Sequence, residues 1–276
     1  MAAQGDAPTS ALPLPEATPT LALPEAWRAI DFISDLHLDP ATPGAFDAWA
    51  AHLRYTHADA VFILGDLFEV WVGDDIGERG FEARCTAVLG DAARHRTVGF
   101  MAGNRDFLVG DALLESLGVM RLHDPTLLVA FGQPVLVSHG DALCLGDAAY
   151  QRYRRIVRRP AVQHALLTLP RRWRSAIGRR AREQSGAMKA SGPVPFVDVD
   201  AEAARGWLRD SESQVLVHGH THAPASHVLG SGLVRHVLSD WHLDGAGSPR
   251  AEVLRWTDAG FARIAPESAI RASELR

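Results

Sequence analysis

Five short apolar runs, each closed by an Asp, Asn or His, constrain this chain more than any other feature. They are Ala29–Asp35 (AIDFISD), Ala60–Asp66 (AVFILGD), Val98–Asn104 (VGFMAGN), Val135–His139 (VLVSH) and Val215–His220 (VLVHGH). Runs this short, rich in β-branched and aromatic residues and bounded by Gly or polar groups, read as buried strands. Between the first three, Phe46, Trp49 and Leu53, and then Phe81, Cys85, Val88 and Leu89, recur at helical spacing. That strand–helix–strand rhythm packs helices on the faces of a sheet. Phe131-Gly132-Gln133-Pro134 reads as a turn joining two antiparallel strands, and Leu233–Leu238, Ala251–Trp256 and Phe261–Ile264 as further strands. The expectation is an α/β (α+β) fold: two packed mixed sheets flanked by helices.

Residues 141–212 break the rhythm with no convincing strand. Tyr150, Tyr153, Ile156 and Val157 lie at helical offsets, and Leu166, Leu167 and Leu169 form a second apolar cluster before Pro170. The stretch reads as a helical insertion, or lid, within one domain over 28–265, with a disordered tail over 1–27 and a second tail over 266–276. The N-terminal stretch has no basic n-region and is broken by prolines, so it does not read as a signal peptide. No apolar run reaches the roughly 18 residues of a membrane span, which predicts a soluble or peripheral protein. Cys85 and Cys144 are too far apart for a CxxC site and read as buried free thiols, suited to a reducing cytoplasm. Net charge is −5, which suggests no nucleic-acid partner, but residues 151–182 hold eleven arginines and no acid. The charge is therefore strongly segregated.

The chemistry lies in the residues that close the strands: Asp35 and His37, Asp66, Asn104, His139, and then His220 and His222. In an α/β sheet, ligands bind just beyond the carboxyl ends of the strands. One crevice would thus receive two Asp, one Asn and four His, a mixed O/N set suited to Mn²⁺, Fe or Zn²⁺ rather than to Mg²⁺ or Ca²⁺. Seven ligands over-supply one metal, whereas two metals sharing a bridging carboxylate use them fully. Any one of these residues alone is more often a turn or cap residue; the signal is five matched strand ends in order. His52, His57, His95, His123 and His164 fall outside the pattern, and His218, alternating away from His220, reads as structural.

D-x-H, GD, GN, HG and GHxH in that order resemble the signature of the calcineurin-like metallophosphoesterases, over roughly residues 29–245. Closer features, GDLFEVWVGDD (Gly65–Asp75), GNRDFL (Gly103–Leu108), SHGDALCLGD (Ser138–Asp147) and HGHTHAP (His218–Pro224), resemble the UDP-2,3-diacylglucosamine hydrolases, pyrophosphatases of lipid A and hence lipopolysaccharide synthesis. The resemblance implies that Asp35, His37, Asp66 and His222 hold one Mn²⁺ and Asp66, Asn104, His139 and His220 the other, with Asp66 bridging. It implies substrate contacts from Asn104, Arg105, Asp147, Ser185 and His220. It also implies UDP-2,3-diacylglucosamine as substrate, UMP and 2,3-diacylglucosamine 1-phosphate as products, and a peripheral place on the cytoplasmic face of the bacterial inner membrane. The chain departs from the pattern after Ser185, where the family offers Asn and then Lys: here Lys189 and Gly192 occupy those positions, leaving Lys189 to reach a phosphate.

Arg105 sits where a phosphoesterase with a poor alkoxide leaving group gains from a protonating His. A pyrophosphate expels a phosphate monoester, which needs charge compensation more than a proton. Arginine keeps its charge and grips phosphate oxygens with two parallel hydrogen bonds. The competing reading pairs Arg105 with Asp106 or a surface acid. The arginine-rich insertion likewise has two readings: a solvated face, or, with Leu169, Trp173 and Ile177 interleaved, a surface that docks on anionic lipid. Two rival functions stay open, a phosphoesterase for dinucleoside polyphosphates or cyclic nucleotides and a scaffold whose metal site has decayed. The scaffold would lack ligands, and here all seven are present.

Overall fold

Continuous apolar strands can be stable only if both of their faces are covered, and the computed structural model shows how. It describes residues 12–190, 197–245 and 247–268, with the side chains of 181–190 left aside. The first sheet is built on β2 (Ile30–Ile33), β3 (Ala60–Leu64), β4 (Thr97–Met101) and β5 (Met120–Leu122), all parallel. It is completed on the β2 side by antiparallel β11 (Val253–Thr257) and then β12 (Gly260–Ile264). The second sheet runs β1 (Thr20–Ala22), β6 (Thr126–Ala130), β7 (Gln133–Ser138), β8 (Val215–His218), β10 (Leu233–Val237) and β9 (Ala225–Gly230). Both sheets are mixed.

Alternate residues of each central strand serve different layers. Phe32, Phe62, Leu64 and Met101 of the first sheet meet Leu128, Val135, Val137 and Val217 of the second, and Trp256 closes that layer. Ile33, Val61, Ile63, Val98 and Phe100 point the other way, onto α1 (Pro43–Tyr55), α2 (Gly80–Ala93) and α3 (Asp111–Leu117). The helical offsets read from the sequence are the packed ones: Trp49, Leu53, Cys85 and Leu89 are buried there. Cys85 and Cys144 are buried free thiols, pushed up to about 12 by burial.

Two boundaries differ from the sequence reading. Thr20–Ala22, inside the stretch expected to be a disordered tail, pairs in parallel with Leu127–Val129, and Leu23 is buried. Four residues between Pro19 and Pro24 carry no readable period, but an edge strand tolerates flanking prolines. The stretch expected as an insertion holds α4 (Ala148–Val157), α5 (Pro160–Leu167), α6 (Arg171–Ala190) and α7 (Ala201–Asp210). Of these, α7 is part of the core: Ala203, Ala204, Trp207 and Leu208 pack on Leu136 and Leu216, on the outer face of the second sheet. Asp200 caps it by accepting from the Ala203 amide at 2.8 Å.

One buried charge ties the layers together. Asp31 on β2 accepts two hydrogen bonds from Arg255 of β11 at 2.7 and 2.9 Å and one from Thr56 at 2.7 Å, while His52 Nε2 lies 3.1 Å away. Burial works against ionisation of Asp31, but Arg255 and His52 outweigh it and hold the carboxyl at about 2, below its ordinary 3.8. A depressed folded-state pKa stabilises the fold above the ordinary value, and that contribution disappears as pH falls toward 2. Asp31→Asn should therefore cost about 2–3 kcal/mol at neutral pH in chemical denaturation. The gap to wild type should close as the pH is lowered from about 5 toward about 2; a gap that stays constant would show that the charge contributes nothing.

Candidate metal centre

Strands that end at one edge of a sheet present their last side chains to one crevice only if the chain turns sharply there. Asp35, His37, Asp66, His220 and His222 adopt φ of 53°, 48°, 52°, 69° and 52°, and they are five of the eight described non-glycine residues at positive φ. Such conformations cost of order 1–3 kcal/mol each and persist where the surroundings over-determine them. Here cross-strand bonds do so. The amide of Asp35 donates to the Gly65 carbonyl, that of His37 to Asp66, and that of Gly219 to His139. Glycine permits the closest approaches: a Cβ on Gly103 would stand 2.1 Å from Asp66 Oδ1, and one on Gly219 2.3 Å from Asp35 Oδ2.

The seven expected residues converge in two groups. In the first, His37 Nε2 and His222 Nε2 face each other at 3.2 Å, with Asp35 Oδ1 3.4 Å from His222 Nε2. In the second, His139 Nε2 and His220 Nδ1 lie 3.1 and 2.9 Å from Asn104 Oδ1. Asp66 stands between them. Its Oδ2 is 3.8 Å from His37 Nε2 and its Oδ1 3.8 Å from His139 Nε2, so each carboxylate oxygen addresses a different group. Asp35 also reaches the second group: Asp35, Asp66 and His139 bring one donor atom each within 4.8 Å of one another.

These donors fit divalent cations. Asp35 Oδ1 is buried with no hydrogen-bond partner among the described residues, a costly state for a carboxylate oxygen unless something positive occupies the space. His139 Nδ1 lies 2.9 Å from the Leu64 carbonyl. A carbonyl only accepts, so Nδ1 carries a proton and Nε2 is left to coordinate. Electrostatics agree. Burial opposes ionisation of Asp35, yet the His222 imidazole 3.4 Å away outweighs it and holds the carboxyl well below the usual range. Burial likewise opposes protonation of His139, but Asp66, Asp141 and Asp35 raise it to about 9. Burial, and then the charge of His139, press His220 down to about 4. A cation entering this field displaces protons, so its binding tightens as pH rises.

Carboxylates to which the sequence reading gave no part in the metal centre orient the cluster. Glu69 Oε2 lies 2.9 Å from His37 Nδ1, and Asp240 Oδ2 3.8 Å from His222 Nδ1. Asp106 is fully buried and accepts from the amides of Leu67 at 2.8 Å and Gly103 at 2.7 Å, tying the turn of Asp66 to the turn of Asn104. None of these closes a strand, so strand-end logic could not find them; their one sequence signal is nearness to the GD and GN motifs.

Asp106 is thus committed to backbone amides and does not pair with Arg105, which leaves open only the other half of that reading, a different acid. The Arg105 amide donates to Asp66 Oδ1 at 2.9 Å, and its guanidinium lies 3.9 Å from Glu69, at the rim of the cluster. Asp147 caps α4 by accepting from the Tyr150 amide at 2.8 Å. The side chains of Ser185 and Lys189, and all of Gly192, lie outside the described residues. His218 stays apart from both groups, with Nδ1 2.8 Å from the Gly219 carbonyl and a pKa lowered by burial to about 3.

Two adjoining groups of candidate cation ligands at the strand ends of two packed mixed sheets are the arrangement of a metallophosphoesterase. Residues 29–224 match the calcineurin-like phosphoesterase family, and the chain belongs to it; that family implies a dinuclear metal site. The chain is 44% identical over 222 residues to UDP-2,3-diacylglucosamine hydrolase of Chromobacterium violaceum, covering 78% of this chain and 91% of that one. It is 38% identical over 234 residues to UDP-2,3-diacylglucosamine hydrolase of Coxiella burnetii (strain RSA 331 / Henzerling II), covering 83% and 93%. Among solved structures, vacuolar protein sorting 29 from Cryptosporidium parvum aligns over 86% of this chain and 96% of its own, with 13% identity and a TM-score of 0.44.

Because Asp66 addresses both groups, Asp66→Ala should lower bound metal at both positions and abolish activity. Elemental analysis of the purified variant against wild type checks this, and loss of only one equivalent would show that Asp66 does not bridge.

Proposed function

We propose that the chain hydrolyses UDP-2,3-diacylglucosamine to UMP and 2,3-diacylglucosamine 1-phosphate, a step of lipid A synthesis, with two Mn²⁺ as its resident ions. Water adds to the α phosphorus, the bond from that phosphorus to the bridging oxygen breaks, and the oxygen leaves on the sugar phosphate. Asp35, His37, Asp66 and His222 would hold one ion, and Asp66, Asn104, His139 and His220 the other. Bound there, the pair supplies a water of lowered pKa and compensates charge on the phosphoryl oxygens.

The observation that carries the substrate class is an arginine on the same turn as a candidate ligand, Arg105 beside Asn104. Its amide is anchored on Asp66 at 2.9 Å, so the side chain starts from a defined point at the rim. Two parallel N–H donors match a departing phosphate and offer no proton. Asp147, Ser185, Lys189 and His220 complete the proposed substrate contacts.

An acylated substrate resides in a bilayer, and the insertion offers a surface for it. Tyr153, Ile156, Leu167, Trp173 and Ile177 are large apolar side chains left exposed on α4, α5 and α6, beside exposed Arg171, Arg172, Arg179 and Arg180. No described helix is long and apolar enough to cross a membrane. Arg174 takes no part in this surface, because it is buried and bonded to the Val72 carbonyl and Asp75.

Arg105→Ala should keep both metals and normal thermal stability yet lose on the order of 10²-fold or more in rate with Mn²⁺ and UDP-2,3-diacylglucosamine. Lysine should rescue only part of it, since a point charge lacks the two-pronged contact. A wild-type rate in the alanine variant would sink the leaving-group argument. Turnover of dinucleoside polyphosphates or cyclic nucleotides, with none of the diacylated substrate, would sink the assignment itself.

Reversing the charges of Arg171, Arg172, Arg179 and Arg180 should release the protein from phosphatidylglycerol-rich liposomes in a flotation assay, each residue contributing about 1 kcal/mol. Binding that is unchanged and insensitive to salt would leave apolar contact as the attachment.

A further inference from the structure

The arginines of α4 are divided between two faces. Arg152 and Arg155 are exposed, whereas Arg154 and Arg158, one turn apart, face inward with Tyr150 and Gln151. They converge on Asp141, a fully buried carboxylate two residues beyond His139. Arg154 Nε lies 2.8 Å and Arg158 3.7 Å from Asp141 Oδ2, and the Tyr150 hydroxyl donates to the same oxygen at 2.6 Å. From this hub, contacts run to the backbone just before Asn104, through Asp124 to the His139 amide, and to the His220 ring. Arg154 also pairs with Asp124 at 3.4 Å, and Asp124 Oδ1 accepts from Ser138 Oγ at 2.6 Å and from the His139 amide at 3.2 Å. Arg158 donates to the carbonyls of Ala102 and Gly103 at 3.1 and 2.9 Å, immediately before Asn104. The Tyr150 ring, held by its hydroxyl, lies 5.6 Å from the His220 ring. The first group is oriented separately, by Glu69 on His37 and Asp240 on His222.

We propose that Asp141, with Tyr150, Arg154 and Arg158, is a positioning cluster that sets the spacing of Asn104, His139 and His220. The first helix of the insertion then belongs to the frame of one cation position and not of the other. The four act through the turns that carry the ligands. Outer partners of this kind typically change metal affinity 10–100-fold. The proposal rests on the reading that Asp66, Asn104, His139 and His220 hold a cation.

The test is titration of the metal-free, full-length protein with Mn²⁺ alone, followed by calorimetry and by electron paramagnetic resonance for coupling between the ions. Wild type, Asp141→Asn, Tyr150→Phe, Asn104→Ala and the exposed-face control Arg152→Gln are compared. Asp141→Asn and Tyr150→Phe should weaken one Mn²⁺ by about 10–100-fold, the same ion that Asn104→Ala loses, and leave the other at wild-type affinity. Arg152→Gln should change neither. Tyr150→Phe removes one hydrogen bond and no charge, so it carries the test if Asp141→Asn does not fold. Two ions bound by wild type with unchanged affinities in both variants would overturn the cluster alone. So would equal weakening of both ions in step with a lowered Tm, which marks a merely structural role. A wild type that binds a single Mn²⁺ would overturn the two-cation reading, and this proposal with it.

Discussion

Asp66 holds a buried carboxylate whose two oxygens each lie 3.8 Å from a histidine of a different group. That placement puts negative charge where four imidazoles converge, and much of the surrounding structure serves to keep it there. The GD turn is tied to the GN turn through Asp106, the Arg105 amide donates to Asp66 itself, and Gly103 leaves room for the contact. Burying such a charge without a counter-charge is expensive. The raised proton affinity of His139 is the same imbalance seen from the histidine side. A pair of cations is the natural complement.

The arginine-rich insertion does two opposite jobs with one residue type. Arg154, Arg158 and Arg174 turn inward and anchor α4 and α6 to the strand-end turns and to the Val72–Asp75 loop. Arginine suits this because its planar fork bonds several acceptors at once without losing charge. Gly178 lets α6 lie close on that loop, since a Cβ there would stand 2.9 Å from Val72. The outward arginines lie beside Trp173 and Ile177, which remain exposed. The insertion is therefore braced on one side and open on the other.

The sheets could be read from the chain because buried strands are apolar throughout and end at Gly or a polar residue, a local pattern that survives without tertiary information. The same pattern singled out the seven residues that converge at the strand ends. Elements without such a pattern escaped. Thr20–Ala22 is too short to show a period, and α7 has helical spacing whether it belongs to an insertion or to the core. The orienting carboxylates Glu69, Asp106, Asp124, Asp141 and Asp240 look like any surface acid in sequence.

Local chemistry, then, was determined by the sequence: which segments are strands, which side chains close them, and that those side chains form a mixed oxygen and nitrogen donor set. What only the tertiary structure decided is pairing in space. Asp106 serves backbone amides rather than Arg105, Glu69 and Asp240 stand behind His37 and His222, and Arg174 is buried. The physical reason is that a charged side chain takes whichever partner long-range packing brings within about 3 Å. Partners 30 to 116 residues away, such as Asp124 for Arg154 or Asn104 for His220, leave no local trace in the order of residues.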